Sequence, residues 1–228
     1  MESLSAAVAS SRFERRGDVV VIAYPKAPVP AFNGLIVRGD GAVHELEALL
    51  HEVPSAGVTA VDAPATLEEA RRHGLIETVE LPGMVATRES LVPAPAAGAI
   101  DTDALGEALT VMTESFGAPR DWFDELYTRE VLDRAGATAY VLRVDGQPVS
   151  TAIGLRTGDA LGIYNVGTPA AERGKGYGAA VTSRAVEDAF ADGATLAYLQ
   201  SSALGFSVYE RLGFRHVSTY TLAFAPPH

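Results

Sequence analysis

The chain has 228 residues, 47% of them apolar and 21% charged, with a formal net charge of -11 and no cysteine. This composition supports a sizeable core and excludes disorder. The excess of acid argues against a nucleic-acid partner, since neutralising phosphate takes a face of Lys and Arg, and it would tolerate a cationic substrate. Without cysteine there are no disulfides, thiolate nucleophiles or thiolate metal sites. The histidines, His44, His51, His73, His216 and His228, are scattered without ligand spacing, so no metal is expected. Glu2 stands where a signal peptide carries positive charge, and no apolar run is long enough to span a bilayer, so the expectation is a cytoplasmic protein with no membrane contact.

In chain order, FNGLIV reads as a strand. Val43, Leu46, Leu50 and Val53, at steps of three, four and three, mark a helix. GVTAVDA is a strand, TLEEARRHGL a short helix and IETVEL a strand, giving βαβαβ. The run VPAPAAG, 92–98, can continue neither a helix nor a central strand and reads as a linker between a half-domain at 1–91 and a domain at 99–228. Beyond it, Asp101 or Asp103 is placed to cap a helix with Leu105, Leu109, Met112 and Phe116 on one face, stopped by Gly117-Ala118-Pro119. A second helix is expected from about Arg120, carrying Trp122, Phe123, Leu126, Tyr127 and Val131. Two strands then flank Asp145-Gly146, a strong hairpin signal, and a turn at 157–159 leads to the strand ALGIYNVGT. After a glycine-rich stretch, a helix runs from about Tyr177 to Asp192 and ends at Gly193. The strand LAYLQ, a helix from about Gly205 to Leu212, and the strand FRHVSTYTLAF complete the order ααβββαβαβ, an α+β or mixed-sheet domain. Its tail is matched by the βαβαβ of the first half, and Arg72-His73-Gly74-Leu75 stands where Arg211-Leu212-Gly213-Phe214 stands, a weak internal repeat. The first copy has only RGDGA in place of the glycine stretch.

That stretch is ERGKGYGA, 172–179. Three alternating glycines at a strand-to-helix junction exceed what a flexible turn needs. A helix start offers unpaired N–H groups and the positive end of the dipole, and glycines let several amides converge on one anion. Arg173 and Lys175 would add charge, so Arg173–Gly178 reads as a phosphate or pyrophosphate cradle. A P-loop fails: Gly167 is seven residues before Gly174, and Gly176 stands where the hydroxyl residue should be. A dinucleotide fingerprint fits formally through Gly174, Gly176 and Ala179, but TPAAER separates the loop from its strand, and the next strand ends in Gln200-Ser201 without a ribose-binding acid.

The remaining pattern is [R/Q]-x-x-G-x-G/A, met by Arg173-Gly174-Lys175-Gly176-Tyr177-Gly178. With Tyr209-Glu210-Arg211-Leu212-Gly213-Phe214 downstream, residues 100–228 resemble the GCN5-related N-acetyltransferase (GNAT) superfamily, and the first half looks like a degenerate partial copy. The resemblance implies a mixed sheet that splays between its fourth and fifth strands, here ALGIYNVGT and LAYLQS, with acetyl-CoA in the cleft and no metal. It implies transfer of the acetyl group to a primary amine of a small molecule or protein. Backbone groups of Asn165, Val166, Gly167 and Thr168 would pair with the pantetheine arm, the N–H of Val166 or its neighbour would face the thioester oxygen, and amides from Arg173 through Lys175 and Tyr177 to Gly178 and Ala179 would hold the pyrophosphate. Tyr209 aligns with the tyrosine that protonates the departing thiolate.

Where the family often has Asn at the end of the fifth strand, this chain has Ser201 and Ser202, which could bond the pantetheine or cap the next helix. Many members carry a basic carboxylate on the fourth strand; here Tyr164 and Asn165 stand there instead. Glu114, Asp121 and Glu125 are the other carboxylates expected near the acceptor, each with solvated helix surface as the plainer reading. Phe116, Trp122 and Tyr164 are candidates to line the acceptor site. The alternative function is a non-catalytic acyl-CoA-binding or regulatory protein. Monomer and homodimer are both compatible with the chain.

Overall fold

The computed structural model describes residues 2–26, 32–53, 57–124 and 126–226, without the side chain of Ser3. Glu125 and His228 lie outside the described residues. The elements are α1 Glu2–Ala7, β1 Arg12–Arg16, β2 Val19–Ala23, β3 Gly34–Arg38, a 3-10 turn Val43–Glu45 leading into α2 Leu46–Glu52, β4 Gly57–Val61, α3 Pro64–Arg72 and β5 Glu77–Thr87. There follow β6 Ala99–Asp101, α4 Leu105–Phe116, α5 Asp121–Asp124, α6 Arg129–Ala135, β7 Ala137–Val144, β8 Gln147–Thr157 and β9 Ala160–Gly167. A second 3-10 turn, Ala170–Glu172, precedes α7 Tyr177–Ala191, β10 Leu196–Gln200, α8 Phe206–Arg211 and β11 Arg215–Phe224.

The compact units do not divide at the 92–98 run. One is Met1–Pro82 with Ser218–His228, the other Gly83–Val217. The reason is an exchange of strands. The end of β11 pairs antiparallel with β4, Tyr220 opposite Val61 and Ala223 opposite Val58. The end of β5 pairs antiparallel with β10, Thr87 opposite Leu196 and Gly83 opposite Gln200. Each unit thus contains the end of the last strand of the other half of the sequence.

In the first unit the strand order is β1-β2-β3-β4-β11. The β1–β2 hairpin and α1 are additions to the expected βαβαβ. β3 and β4 are parallel and stay paired to their ends, Arg38 opposite Val61. Val19, Val21, Leu35, Val37, Leu46, Leu49, Val58 and Ala70 form the core with Ala223 of β11. The RGDGA turn is closed by its own acid: Asp40 Oδ1 accepts from the amide of Thr66 (2.8 Å) and from its hydroxyl (3.2 Å) at the start of α3.

In the second unit the order is β5-β10-β9-β8-β7-β6. α7 buries Ala180, Val181, Ala185, Val186, Ala189 and Phe190 against Leu142, Ala152, Leu161, Ile163 and Leu199. Its alanines supply the close approach and Phe190 the bulk. Alternation along the strands turns Val141, Ile153 and Leu155 to the opposite face, where α4 buries Ala108, Leu109, Val111 and Met112. Two details differ from expectation. Neither Asp101 nor Asp103 caps α4; Asp101 instead accepts from Arg143 (2.7 Å), which also donates to Glu107 (2.9 Å), and that guanidinium holds the Asp101 carboxyl below its usual range. The expected helix from Arg120 is broken into α5 and α6, because Thr128 Oγ1 accepts the amide of Val131 (3.1 Å) and starts a new helix there.

Candidate active site

β9 and β10 run parallel from Ala160 opposite Leu196 to Ile163 opposite Leu199. There the pairing stops. β9 continues through Tyr164–Gly167 beside β8, while Gln200 of β10 stays with Gly83 of β5. The two strands therefore part beyond Ile163, as the expected splay of ALGIYNVGT from LAYLQS requires.

A second irregularity falls just past the parting. Ile153 of β8 opposes Tyr164, and Thr151 opposes Gly167, so the single residue Ala152 faces both Asn165 and Val166. This is a β-bulge, which leaves one backbone unit out of the ladder. Asn165 has φ 49, a left-handed conformation that Asn tolerates better than most side chains. Its Nδ2 donates to Tyr127 Oη at 2.6 Å and lies 3.5 Å from Met112 Sδ. Below the bulge, Ser150 Oγ donates to the Gly167 carbonyl (3.0 Å) and meets Thr168 Oγ1 at 2.9 Å.

The glycine stretch forms the entry to α7. Gly174 and Gly176 have φ 79 and 82, which explains two of the three glycines by conformation, and a Cβ at either would meet nothing within 4 Å. Gly178 is different: it is helical, and a Cβ there would face Thr168 Oγ1 at 3.5 Å and Val166 Cγ1 at 3.7 Å. The first turn of α7 therefore opens towards the end of β9. It carries no acidic residue and no side-chain cap. The other end of α7 is satisfied by cations, since Arg88 donates to the carbonyl of Phe190 and Arg156 to that of Ala189 (3.3 Å). The dipole is thus neutralised at one end, and its N–H end remains open to an anion.

The two expected cations of the cradle are otherwise engaged. Arg173 donates to the carbonyls of Thr168 (3.0 Å) and Ser115 (3.2 Å), bracing the exit of β9 against the last turn of α4. Lys175 donates to Glu172 (2.9 Å), which raises its pKa, and sits over the Tyr177 ring. That leaves the backbone amides of this turn as the groups that could meet an anion.

Ser201, Ser202 and Tyr209 gather around Gly205, where a Cβ would come within 2.9 Å of the Tyr209 ring and 3.1 Å of Ser201 Oγ. Ser201 is fully buried and donates to the Ser202 carbonyl (2.7 Å); Ser202 Oγ accepts from the Gly205 amide (3.3 Å) just before α8, as a cap would. Tyr209 packs edge-on against Phe214, and burial pushes its hydroxyl up to about 12. That hydroxyl makes no hydrogen bond among the described residues.

On the α4 side, Tyr164 and Tyr198 meet edge-to-face with their hydroxyls 3.3 Å apart, and both rings cover Gly162. Phe116 is half exposed at the end of α4 and Trp122 partly buried. Glu114 and Asp121 are solvent-facing charges. Tyr127 and Tyr198 were not singled out by sequence reasoning. An Asn inside a strand-forming run, at odds with strand preference, was the available sign of the bulge. Among the described residues no cluster of His, Asp and Glu could hold a metal, and no helix is long and apolar enough to cross a membrane.

Residues 97–201 match the family model of the acetyltransferase (GNAT) domain. Over its whole length the chain is similar in structure to a GCN5-related N-acetyltransferase from Kribbella flavida, at 21% identity and a TM-score of 0.71, covering 93% of that chain. A functionally unknown conserved protein from Staphylococcus epidermidis matches at 13% identity and a TM-score of 0.68, over 96% of this chain and 95% of that one. A GCN5-related N-acetyltransferase from Sphaerobacter thermophilus matches at 18% identity and a TM-score of 0.61, over 92% and 82%. No curated protein matches the chain. The mixed sheet flanked by helices is the GNAT fold, and the suspected GNAT resemblance is borne out by that fold and by a domain match that includes Arg173–Gly178, while Tyr209–Phe214 lies beyond the matched residues.

Proposed function

We propose that this chain, whose residues 97–201 match the acetyltransferase (GNAT) domain and whose fold is that of GNAT proteins, transfers an acetyl group from acetyl-CoA to a primary amine of a small molecule or protein. The observation that carries the reading is the meeting of two features. β9 and β10 part beyond Ile163–Leu199, and the uncapped first turn of α7 opens onto the freed end of β9. A long ligand with an anionic middle and an extended amide arm fits both: the anion takes the bare amides between Gly174 and Ala179, and the arm pairs with Val166–Thr168 as a strand would. An acidic or capped first turn would have opposed this; α7 has neither.

In this reading acetyl-CoA supplies a thioester, whose carbonyl carbon bonds to the amine nitrogen as its carbon–sulfur bond breaks. The bulge at Asn165–Val166 offers a backbone N–H to the carbonyl oxygen, where charge develops. Tyr209, held protonated by its buried setting, gives its proton to the departing sulfur and recovers one from solvent. The amine nitrogen loses its surplus proton to water, since the side chains at the parting are Tyr164 and Asn165 rather than a carboxylate. Ser201 and Ser202 border the site near Tyr209, and Phe116, Trp122 and Tyr164 are assigned to the acceptor side. The first half is read as a degenerate GNAT-like half-domain whose parallel pair never parts and whose turn is filled by Asp40. The enzyme is taken to be cytoplasmic.

The test is thiol release from acetyl-CoA across a panel of polyamines, amino acids, aminoglycosides, arylamines and peptide N-termini, alongside calorimetric titration with coenzyme A. Binding with amine-dependent thiol release supports the reading. Binding without release on every amine would make the protein an acyl-CoA-binding protein, and no binding would sink both.

A further inference from the structure

The acetyl-transfer reading assigns work to the backbone of the bulge but none to the side chain that sits on it. That side chain is Asn165, the one non-glycine residue with positive φ among the described residues of β9. A left-handed conformation costs most side chains about 1–2 kcal/mol, and Asn is among the few that tolerate it, provided the surroundings hold it there. Here the surroundings are specific. Nδ2 donates to Tyr127 Oη at 2.6 Å, and Met112 Sδ lies beside it at 3.5 Å. Tyr127 is 4% exposed, stacks against Phe123 of α5 (centroids 6.3 Å apart), and lies in the connection between α5 and α6. Met112 is fully buried on α4. The side chain of the bulge is therefore clamped by α4 and the α5–α6 connection, two residues beyond Ile163, where the pairing of β9 with β10 ends.

From this we infer that Asn165 and Tyr127 are positioning residues: their hydrogen bond fixes the peptide planes at Asn165–Val166, and so aims the backbone N–H that polarises the thioester carbonyl. The inference rests on the proposed acetyl-CoA reading. The clamp acts on the direction of one donor and not on the cradle, because the anion site at Gly174–Ala179 belongs to a different loop. Losing it changes how the carbonyl is polarised while leaving the hold on the rest of the coenzyme.

Two variants separate these effects. Asn165→Gly adopts φ 49 without penalty, so the bulge survives while its clamp is lost. Tyr127→Phe keeps the stacked ring and removes only the hydroxyl. Asn165→Asp is the rescue: Asp also tolerates the left-handed region, and its carboxylate accepts a bond from the Tyr127 hydroxyl. The readout is the infrared carbonyl stretch of bound acetyl-CoA labelled with carbon-13 at the carbonyl, which needs no acceptor amine, together with the Kd for coenzyme A by calorimetry.

In the wild type the stretch falls to lower frequency on binding. In Asn165→Gly and Tyr127→Phe at least half of that shift is lost, Kd changes by less than about threefold, and Asn165→Asp restores the shift. A full shift in both clamp variants overturns the inference while the proposed function stands. Shift and affinity collapsing together, without rescue, make the pair a structural support and overturn it as well. A wild type that does not bind acetyl-CoA defeats the proposed function, and the inference with it.

Discussion

Gly178 is the most informative of the three alternating glycines, because conformation does not explain it. Gly174 and Gly176 need positive φ; Gly178 is an ordinary helical residue in the first turn of α7. Replacing it by Ala adds a Cβ at 3.5 Å from Thr168 Oγ1 and 3.7 Å from Val166 Cγ1, both ordinary contacts, so the unliganded fold accepts it. Ala in place of helical Gly stabilises by about 0.5–1 kcal/mol, a rise of about 1–4 °C in melting temperature for a chain of this size. On the proposed reading the same methyl group stands beside the first-turn amides of α7 and the Thr168 hydroxyl, where the bound coenzyme would lie. Forcing an extra methyl against a bound ligand costs about 1–3 kcal/mol, so the Kd for coenzyme A should rise about 5-fold to 150-fold. Thermal melting and calorimetric titration of Gly178→Ala read the two effects separately. A variant that binds coenzyme A as tightly as the wild type would show that the ligand does not approach Gly178, and the proposed cradle would be misplaced.

Four further outcomes are expected. Gly176→Glu puts a carboxylate and a strained φ at the start of α7, and should abolish coenzyme A binding in calorimetry; retained binding would contradict the cradle. Tyr209→Phe should lose most amine-dependent thiol release while its coenzyme A affinity is kept, and an unchanged rate would remove Tyr209 as the acid. Arg173→Ala should change that affinity by no more than about threefold, because the guanidinium is spent on the carbonyls of Thr168 and Ser115; a loss of tenfold or more would mean that it turns to the anion. The fourth concerns alkaline pH. Tyr209 is pushed from 10 up to about 12 by burial, so the folded state holds the phenolic proton more tightly than the unfolded chain. Its contribution is complete below pH 10 and is lost as pH rises through about 12, a fall of about 2–3 kcal/mol at 1.36 kcal/mol per unit. Denaturant midpoints between pH 9 and 12 should therefore drop less steeply for Tyr209→Phe than for the wild type, and parallel curves would refute the assignment.

Signals that act over a few residues were legible in the sequence. The Asp145-Gly146 hairpin appears with both residues at positive φ, as a two-residue turn of that type needs. Gly74 and Gly213, matched in the suspected repeat, end α3 and α8 at φ 85 and 86. The glycine-rich entry to α7 was readable because its glycines and its helix are contiguous. What escaped depends on distant partners. β1 is the charged run RFERR, whose sequence resembles a solvated loop; it forms an edge strand in which Arg12 and Arg16 pair with Glu14 and Glu52. The fate of Arg173 could not be read, since the carbonyl it reaches on Ser115 is 58 positions away. Nor could the Asn165–Tyr127 bond, which spans 38. Register slips by one residue carry no signature in composition, so the bulge was visible only as an Asn in an otherwise strand-like run.

The exchange of β5 and β11 bears on how this protein comes into being. The sheet of the first unit has β4 waiting for residues 220–223, near the far end of the chain. During synthesis the first 82 residues emerge and must remain with that strand position unfilled until some 140 more have been added. An unpaired strand next to Val58, Ala60 and Val61 is an invitation to other chains. Cutting at 92–98 would make that condition permanent in one fragment and leave β10 without its β5 neighbour in the other. The run that reads as a linker is thus a poor place to divide the protein, because the sheet begun by its first residues is completed only by its last strand.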